Sequence, residues 1–241
     1  MIIIAGDSWG CGEWSTTDAL DSRRFISHNG LTGHLLALGR QVINLSEPGT
    51  SNDQTFAKLE NFFLTNHHYE IDGVFVFQTE WIRSDISEQD LALGYQSLKD
   101  HKISNFYYGL GDLSQRFNVR FYIIGGSSDT VWLSEFAKEY PGVEIVCQSF
   151  TNLMLNHNDR IDDPVYALGC FSRKHLETVE RIKSRLSSTD LELLVQDLDR
   201  GRRRRREWQD HPEFFWPDGI HPNRVSYQKL FEHIKGTATW L

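Results

Sequence analysis

The chain has 241 residues, 39% of them hydrophobic and 24% charged, with a formal net charge of −8. This composition is globular and excludes a disordered or fibrous chain, and the acidic balance gives no general attraction to nucleic acid or an anionic membrane. The three cysteines, Cys11, Cys147 and Cys170, are too few and too scattered for a disulfide framework or zinc site, and read as buried thiols in a reducing compartment.

The first element is the apolar run Ile2-Ile3-Ile4, which predicts a strand buried on both faces. It meets Gly6-Asp7-Ser8-Trp9-Gly10, whose glycines let the backbone turn sharply and present a small hydroxyl at the strand's C-terminal end. In open parallel sheets, ligands bind at that end. Glu13 to Ser27 is polar and mixed in charge, and reads as a loop or helical insertion beside the site. Leu31, Leu35, Leu36 and Leu38 before Gly39 predict a helix over 28–39. Val42 to Leu45 is a second strand, emptying into a turn at Pro48-Gly49.

Ser51 or Asn52 caps a helix over 53–66, with Phe56, Leu59, Phe63 and Leu64 on its inner face. Val74–Phe77 is strand three. The long segment from Ser87 to Phe117 reads as two helices interrupted by Gly109 and Gly111, with Tyr107 and Tyr108 in the core. Val119–Ile124 and Val143–Val146 are strands four and five, flanking a helix over 132–140. Gln148 to Pro164 loses periodicity and reads as the rim of a cleft. Helices over 171–186 and 191–198 lead to Arg202–Arg206 and then to Trp208, Phe214, Phe215 and Trp216. Five consecutive cations predict a solvated loop, and the functional alternative is contact with a phosphate or other acidic partner. A last helix covers 224–235.

Five strands separated by helical stretches argue for right-handed βαβ units and a parallel sheet. The expectation is one α/β domain over 1–241, with a basic and aromatic insertion around 199–216. No run approaches the ~20 apolar residues that span a bilayer, and no signal-peptide pattern is visible. A cytoplasmic protein without membrane contact is expected, with nucleic acid not its main partner.

A serine hydroxyl attacks a carbonyl only if a base takes its proton and a third group orients that base. Pro217-Asp218-Gly219-Ile220-His221-Pro222 offers both, with Asp218 and His221 three residues apart on one tight turn. Other chemistries fit less well. Gly10-x-Gly12-x-x-Ser15 lacks the third glycine of a dinucleotide fingerprint, and no Gly-Lys-Ser/Thr of a P-loop occurs. Cys11 has no flanking base to activate it. His67 and His68, being adjacent, would point in different directions from a helix, and no histidines have zincin spacing.

Gly6-Asp7-Ser8 and Asp218-Gly219-Ile220-His221 together resemble the nucleophile and Asp-x-x-His blocks of the SGNH (GDSL-type) hydrolase superfamily of esterases and lipases. Asn44-Leu45-Ser46-Glu47-Pro48-Gly49 resembles its second block. The resemblance implies a three-layer α/β/α sandwich with a five-stranded parallel sheet in the flavodoxin-like order 2-1-3-4-5. It implies Ser8, Asp218 and His221 as catalytic residues, with the N–H groups of Ser8 and Gly49 in the oxyanion hole. The implied substrate is a small acyl ester, for instance on carbohydrate, and no metal or organic cofactor is implied. After strand three the family has Gly-x-Asn-Asp, its asparagine donating to the oxyanion, whereas this chain has Gln78-Thr79-Glu80-Trp81. Loss of one such donor costs ~10²–10³ in turnover. Either Gln78 or Thr79 substitutes as the third donor, or the protein is a slow enzyme, or it is not an enzyme; Asn52, Glu80 and Trp81 are expected on the substrate rim. A non-catalytic protein of the same fold and an acyltransferase are the alternatives.

Overall fold

β1 (Ile2–Ala5) has no exposed side chain and pairs in parallel with a strand on each side, Ile2 lying opposite both Val42 and Gly73. A strand so placed must be apolar on both faces, which the isoleucine run supplies. In the computed structural model, which describes residues 1–16, 24–66, 68–130, 134–155, 157, 173–216 and 218–237, β1 runs into α1 (Ser8–Cys11), followed by β2 (Glu13–Thr16) and β3 (Arg24–His28). Next come α2 (Gly30–Ala37), β4 (Val42–Asn44), α3 (Asn52–Thr65), β5 (Gly73–Gln78), a 3₁₀ turn at Trp81–Arg83, α4 (Glu88–Leu91) and α5 (Tyr95–Phe117). The chain continues through β6 (Phe121–Gly125), α6 (Ser134–Glu139), β7 (Val143–Cys147), α7 (Phe150–Met154), α8 (Arg173–Lys183), α9 (Ser188–Gln209) and α10 (Arg224–Thr237).

The main sheet is parallel, in the order β4-β1-β5-β6-β7, which is the expected 2-1-3-4-5 arrangement. Strand alternation builds the two outer layers. Ile3, Val74, Val76, Phe121 and Ile123 face one apolar cluster with α3, α5 and the first half of α9. Ile2, Ile4, Phe75, Phe77, Tyr122 and Ile124 face the other, with α2, α7 and α10. Helix α9 reaches both clusters, through Leu194 and Leu198 at one end and Trp208 at the other. Among the described residues no helix is long and apolar enough to cross a membrane.

Several local expectations are corrected. Residues 13–16 and 24–28 form an antiparallel strand pair rather than a loop or helix. On α3, Leu59 and Phe63 are buried and Phe56 packs against the core as expected, but Leu64 is exposed, and Asn52 and Thr55 complete the inner face. Part of the supposed rim, Phe150–Met154, is a helix whose Phe150 and Met154 are fully buried. The rest of the rim from 158 onward lies outside the described residues, as do the starts of the helices expected over 132–140 and 171–186.

The arginine run is the largest correction. It belongs to α9, continuous with the short helix expected over 191–198, and is not a loop insertion. Ser187 caps this helix by accepting from the N–H of Asp190, and arginine is a good helix former. Like charges one turn apart are tolerable because carboxylates lie beside them. Arg202 pairs with Asp199, and Arg204 makes two bonds to the buried Asp129. The aromatics that follow are core: Trp208, Phe214 and Phe215 are buried, and Phe215 stacks on Trp208.

The 87–117 segment is two helices, but the break falls at 92–94 and α5 runs straight through Gly109 and Gly111. These glycines are set by packing. A Cβ on Gly109 would lie 2.8 Å from the Phe56 ring, and one on Gly111 2.4 Å from Tyr140. Glycine to alanine in a helix interior ordinarily stabilises by about 1 kcal/mol. Gly111→Ala is therefore expected to reverse that sign, losing about 1–3 kcal/mol through overpacking, read as a fall in the thermal midpoint. A rise would show that Tyr140 moves aside freely.

Candidate functional site

The nucleophile turn is made by a close crossing of backbones. Gly6 has φ +146°, and a Cβ there would lie 2.7 Å from Phe77 Cβ and 2.9 Å from Phe77 O. Only glycine allows β1 to turn this close to β5. Asp7 then caps α1, its Oδ1 accepting the Trp9 N–H at 3.0 Å. Ser8 is the first helical residue, at the C-terminal end of β1.

His221 arrives from the other end of the chain. Its loop is closed by Trp216 N–H to His221 O (2.9 Å) and Gly219 N–H to Trp216 O (2.8 Å), with Gly219 at φ +63°. The Nε2 atom of His221 is 2.9 Å from Ser8 Oγ, across 213 residues of sequence. Its Nδ1 is 2.6 Å from Asp218 Oδ2, and Asp218 Oδ1 accepts the N–H groups of Ile220 and His221. Burial pushes the Asp218 carboxyl up, but the hydrogen bond and charge of His221 and these two N–H donors outweigh it and hold it below its ordinary value. An aspartate–imidazole–hydroxyl relay of this kind can draw a proton from the serine.

The second block is tied to the same turn. Asn44 Nδ2 donates to Gly10 O, and Glu47 N–H to Gly6 O at 3.0 Å. Gly49 follows in an exposed turn at φ +75°.

The third block is built differently from the expectation of a substrate rim. Asn52, Glu80 and Trp81 are all buried. Asn52 Nδ2 donates to Thr79 O, while Thr79 N–H donates to Asn52 Oδ1, a reciprocal pair that locks α3 to the end of β5. Gln78 Nε2 donates to Asp129 O, and its Oε1 accepts from Tyr107. The Thr79 hydroxyl donates to Asp7 Oδ2. Glu80 is ion-paired with Arg83, Oε2 to Nε at 2.7 Å, and the same guanidinium reaches Asp7 Oδ2 at 3.0 Å. A buried charge is held only where it is paired, so Arg83 explains how Glu80 and Asp7 coexist here.

Three contacts escaped the sequence reading. Trp14, on β2, donates from Nε1 to Ser8 O at 3.0 Å, and its ring lies 5.7 Å from that of His221. No sequence signal marks it. Arg83 was readable in principle, since Glu80 and Arg83 are three apart, a spacing that pairs charges on one turn. Arg205 lies within electrostatic reach of Asp218 and Glu80, burial lowering its pKa and those carboxylates raising it.

Cys11 is free and buried, and burial with Asp7 nearby pushes its thiol up to about 12, so it is not a thiolate near neutrality. Among the described residues no cluster of three or more His, Cys, Asp or Glu is placed to hold a metal ion.

Comparison with protein-family models gives no match, and neither does comparison with curated proteins. Among solved structures, the chain is similar to TesA at 13% identity, with 98% of this chain and 96% of TesA covered and a TM-score of 0.39. It is similar to LAE5, an alpha/beta hydrolase from the metagenome of Lake Arreo, Spain, at 15% identity, 99% and 94% coverage and a TM-score of 0.41. A GDSL-like lipase from Parabacteroides merdae gives 12% identity, 100% and 95% coverage and a TM-score of 0.38.

The Asp218 carboxyl has a folded pKa below its unfolded value. Its stabilising contribution is therefore present above the unfolded pKa, near 3.8, and is lost as pH falls through the lower folded value. Asp218→Asn should consequently be less stable than the parent at pH 7, with the difference shrinking below about pH 4. Denaturant titrations of both proteins from pH 7 to pH 2 measure this, and a gap that widens on acidification would reverse the sign.

Proposed function

We propose that this chain is a serine ester hydrolase of the SGNH type acting on a small acyl ester, with acetyl groups on carbohydrate the class the sequence resemblance suggests. The observation that carries the reading is the unbroken relay Asp218–His221–Ser8, at 2.6 and 2.9 Å. Ser8 Oγ attacks the ester carbonyl carbon as its proton passes to His221 Nε2. Asp218 steadies the resulting imidazolium. The proton then goes to the departing alcohol oxygen as the tetrahedral intermediate collapses to an acyl-serine. Water, activated by the same imidazole, hydrolyses that acyl group.

The developing oxyanion is assigned to the N–H groups of Ser8 and Gly49. The first turn of a helix leaves its N–H groups without intrahelical acceptors, which favours Ser8. Gln78 and Thr79 are weaker candidates for the third donor, because their donors are already engaged by Asp129, Asn52 and Asp7. That same engagement favours the second reading, a non-catalytic protein of this fold. The chain is proposed to work as one domain. Its free, buried Cys11 fits the reducing cytoplasm.

Hydrolysis of p-nitrophenyl acetate by the parent and by Ser8→Ala tests the reading. Turnover is expected to fall by at least ~10³-fold in the variant. Equal rates would exclude the enzyme and leave the non-catalytic protein. An acyl group appearing on an added sugar, instead of free acetate, would identify an acyltransferase using the same relay.

A further inference from the structure

Asp7 and Glu80 both lie beside the nucleophile turn, and both are fully buried. One guanidinium joins them. Arg83 Nε donates to Glu80 Oε2 at 2.7 Å and Nη1 to Asp7 Oδ2 at 3.0 Å. The arginine is held in place by its own turn, since Arg83 N–H donates to Glu80 O at 3.1 Å. Its side chain is only 10% exposed. The other Asp7 oxygen caps the Trp9 N–H, immediately after Ser8.

We propose that Arg83 is a positioning residue for Ser8: by clamping Asp7 to Glu80 it fixes the turn that aims the hydroxyl at His221, and it offsets carboxylate charge where an oxyanion must form. The inference rests on the ester-hydrolase reading and adds a residue to it. Two physical effects work together. Asp7 precedes Ser8 and its Oδ1 accepts the Trp9 N–H on the other side of it, so holding the carboxylate holds the backbone that carries the nucleophile, and Arg83 and the Thr79 hydroxyl both hold the Oδ2 atom. Asp218 is the relay's own carboxylate and Asp7 and Glu80 lie on the Ser8 side; Arg83 pairs with the latter two, and Arg205 lies within electrostatic reach of Asp218 and Glu80. Removing Arg83 takes one positive charge out of a buried site, where the carboxylate charge opposes a developing oxyanion more strongly than in solvent. The guanidinium bridges two separate carboxylates through two of its nitrogens, Nε and Nη1, and an ammonium supplies the charge without that planar array of donors.

The test uses the full chain with p-nitrophenyl acetate and a fluorophosphonate probe for Ser8, with thermal melts to establish folding. Arg83→Met is expected to lose ~10²-fold in kcat and in labelling rate with KM within about twofold, the pattern of a lost transition-state effect. Arg83→Lys should recover about tenfold of that loss. Glu80→Gln/Arg83→Met, which takes away one carboxylate charge with the guanidinium, should be faster than Arg83→Met alone. A folded Arg83→Met with parental kcat overturns the inference, and so does a loss that neither lysine nor the double variant relieves. If Arg83→Met does not fold, Arg83→Lys decides, with about a tenfold lower kcat at unchanged KM supporting the clamp and a parental kcat overturning it. A parent protein that neither turns over nor labels fails differently, removing the hydrolase reading and this inference with it.

Discussion

A fully buried carboxylate, that of Asp7, is the constraint around which the site is arranged. An uncompensated charge in such a place costs several kcal/mol, so each of its oxygens has partners. Oδ1 caps α1, and Oδ2 is shared by Thr79 and Arg83. Satisfying this one group therefore joins β1, the end of β5 and the following 3₁₀ turn. It also fixes the backbone of the next residue, Ser8, at the carboxyl end of a strand that is itself apolar on both faces.

His221 is brought to the same place by aromatic packing. Trp9, next to Ser8, lies 5.5 Å from Trp208 on α9, and Trp208 stacks on Phe215 in the loop that leads to Asp218 and His221. Tyr227 of α10 donates to Trp9 O, and Glu13 accepts the N–H of Arg224 at the start of that helix. A hydroxyl from the first strand and an imidazole from just before the last helix thus meet through contacts that are themselves part of the core. Trp14 bridges the two from the side, bonded to the Ser8 carbonyl and lying against His221.

The strands of the sheet and both ends of the relay were legible in the sequence because their causes are local. An isoleucine run states a buried strand, Gly6 states a turn under a close backbone, and Asp218-x-x-His221 on a tight turn states a paired imidazole. The arginine helix was not legible. Local reasoning saw five cations, whereas the partner that buries Arg204 is Asp129, 75 residues away. Gly109 and Gly111 misled in the same way, since the rings that exclude a side chain there come from Phe56 and Tyr140. For the third block, spacing placed a carboxylate where an oxyanion donor was expected; its three-residue separation from Arg83 allowed a pair, and the fold shows that pair formed. The antiparallel pair β2–β3 carries charged and polar side chains in an irregular order, so no period of two announced it.

In the proposed reaction Ser8 Oγ is the atom that takes the acyl group. A crystal structure of the protein after reaction with a fluorophosphonate tests this most directly. The account predicts a covalent P–O bond to Ser8 Oγ, with the phosphonyl oxygen within hydrogen-bonding distance of the Ser8 and Gly49 N–H groups and His221 beside the adduct. An unmodified Ser8, or an adduct carried by another residue, would contradict it.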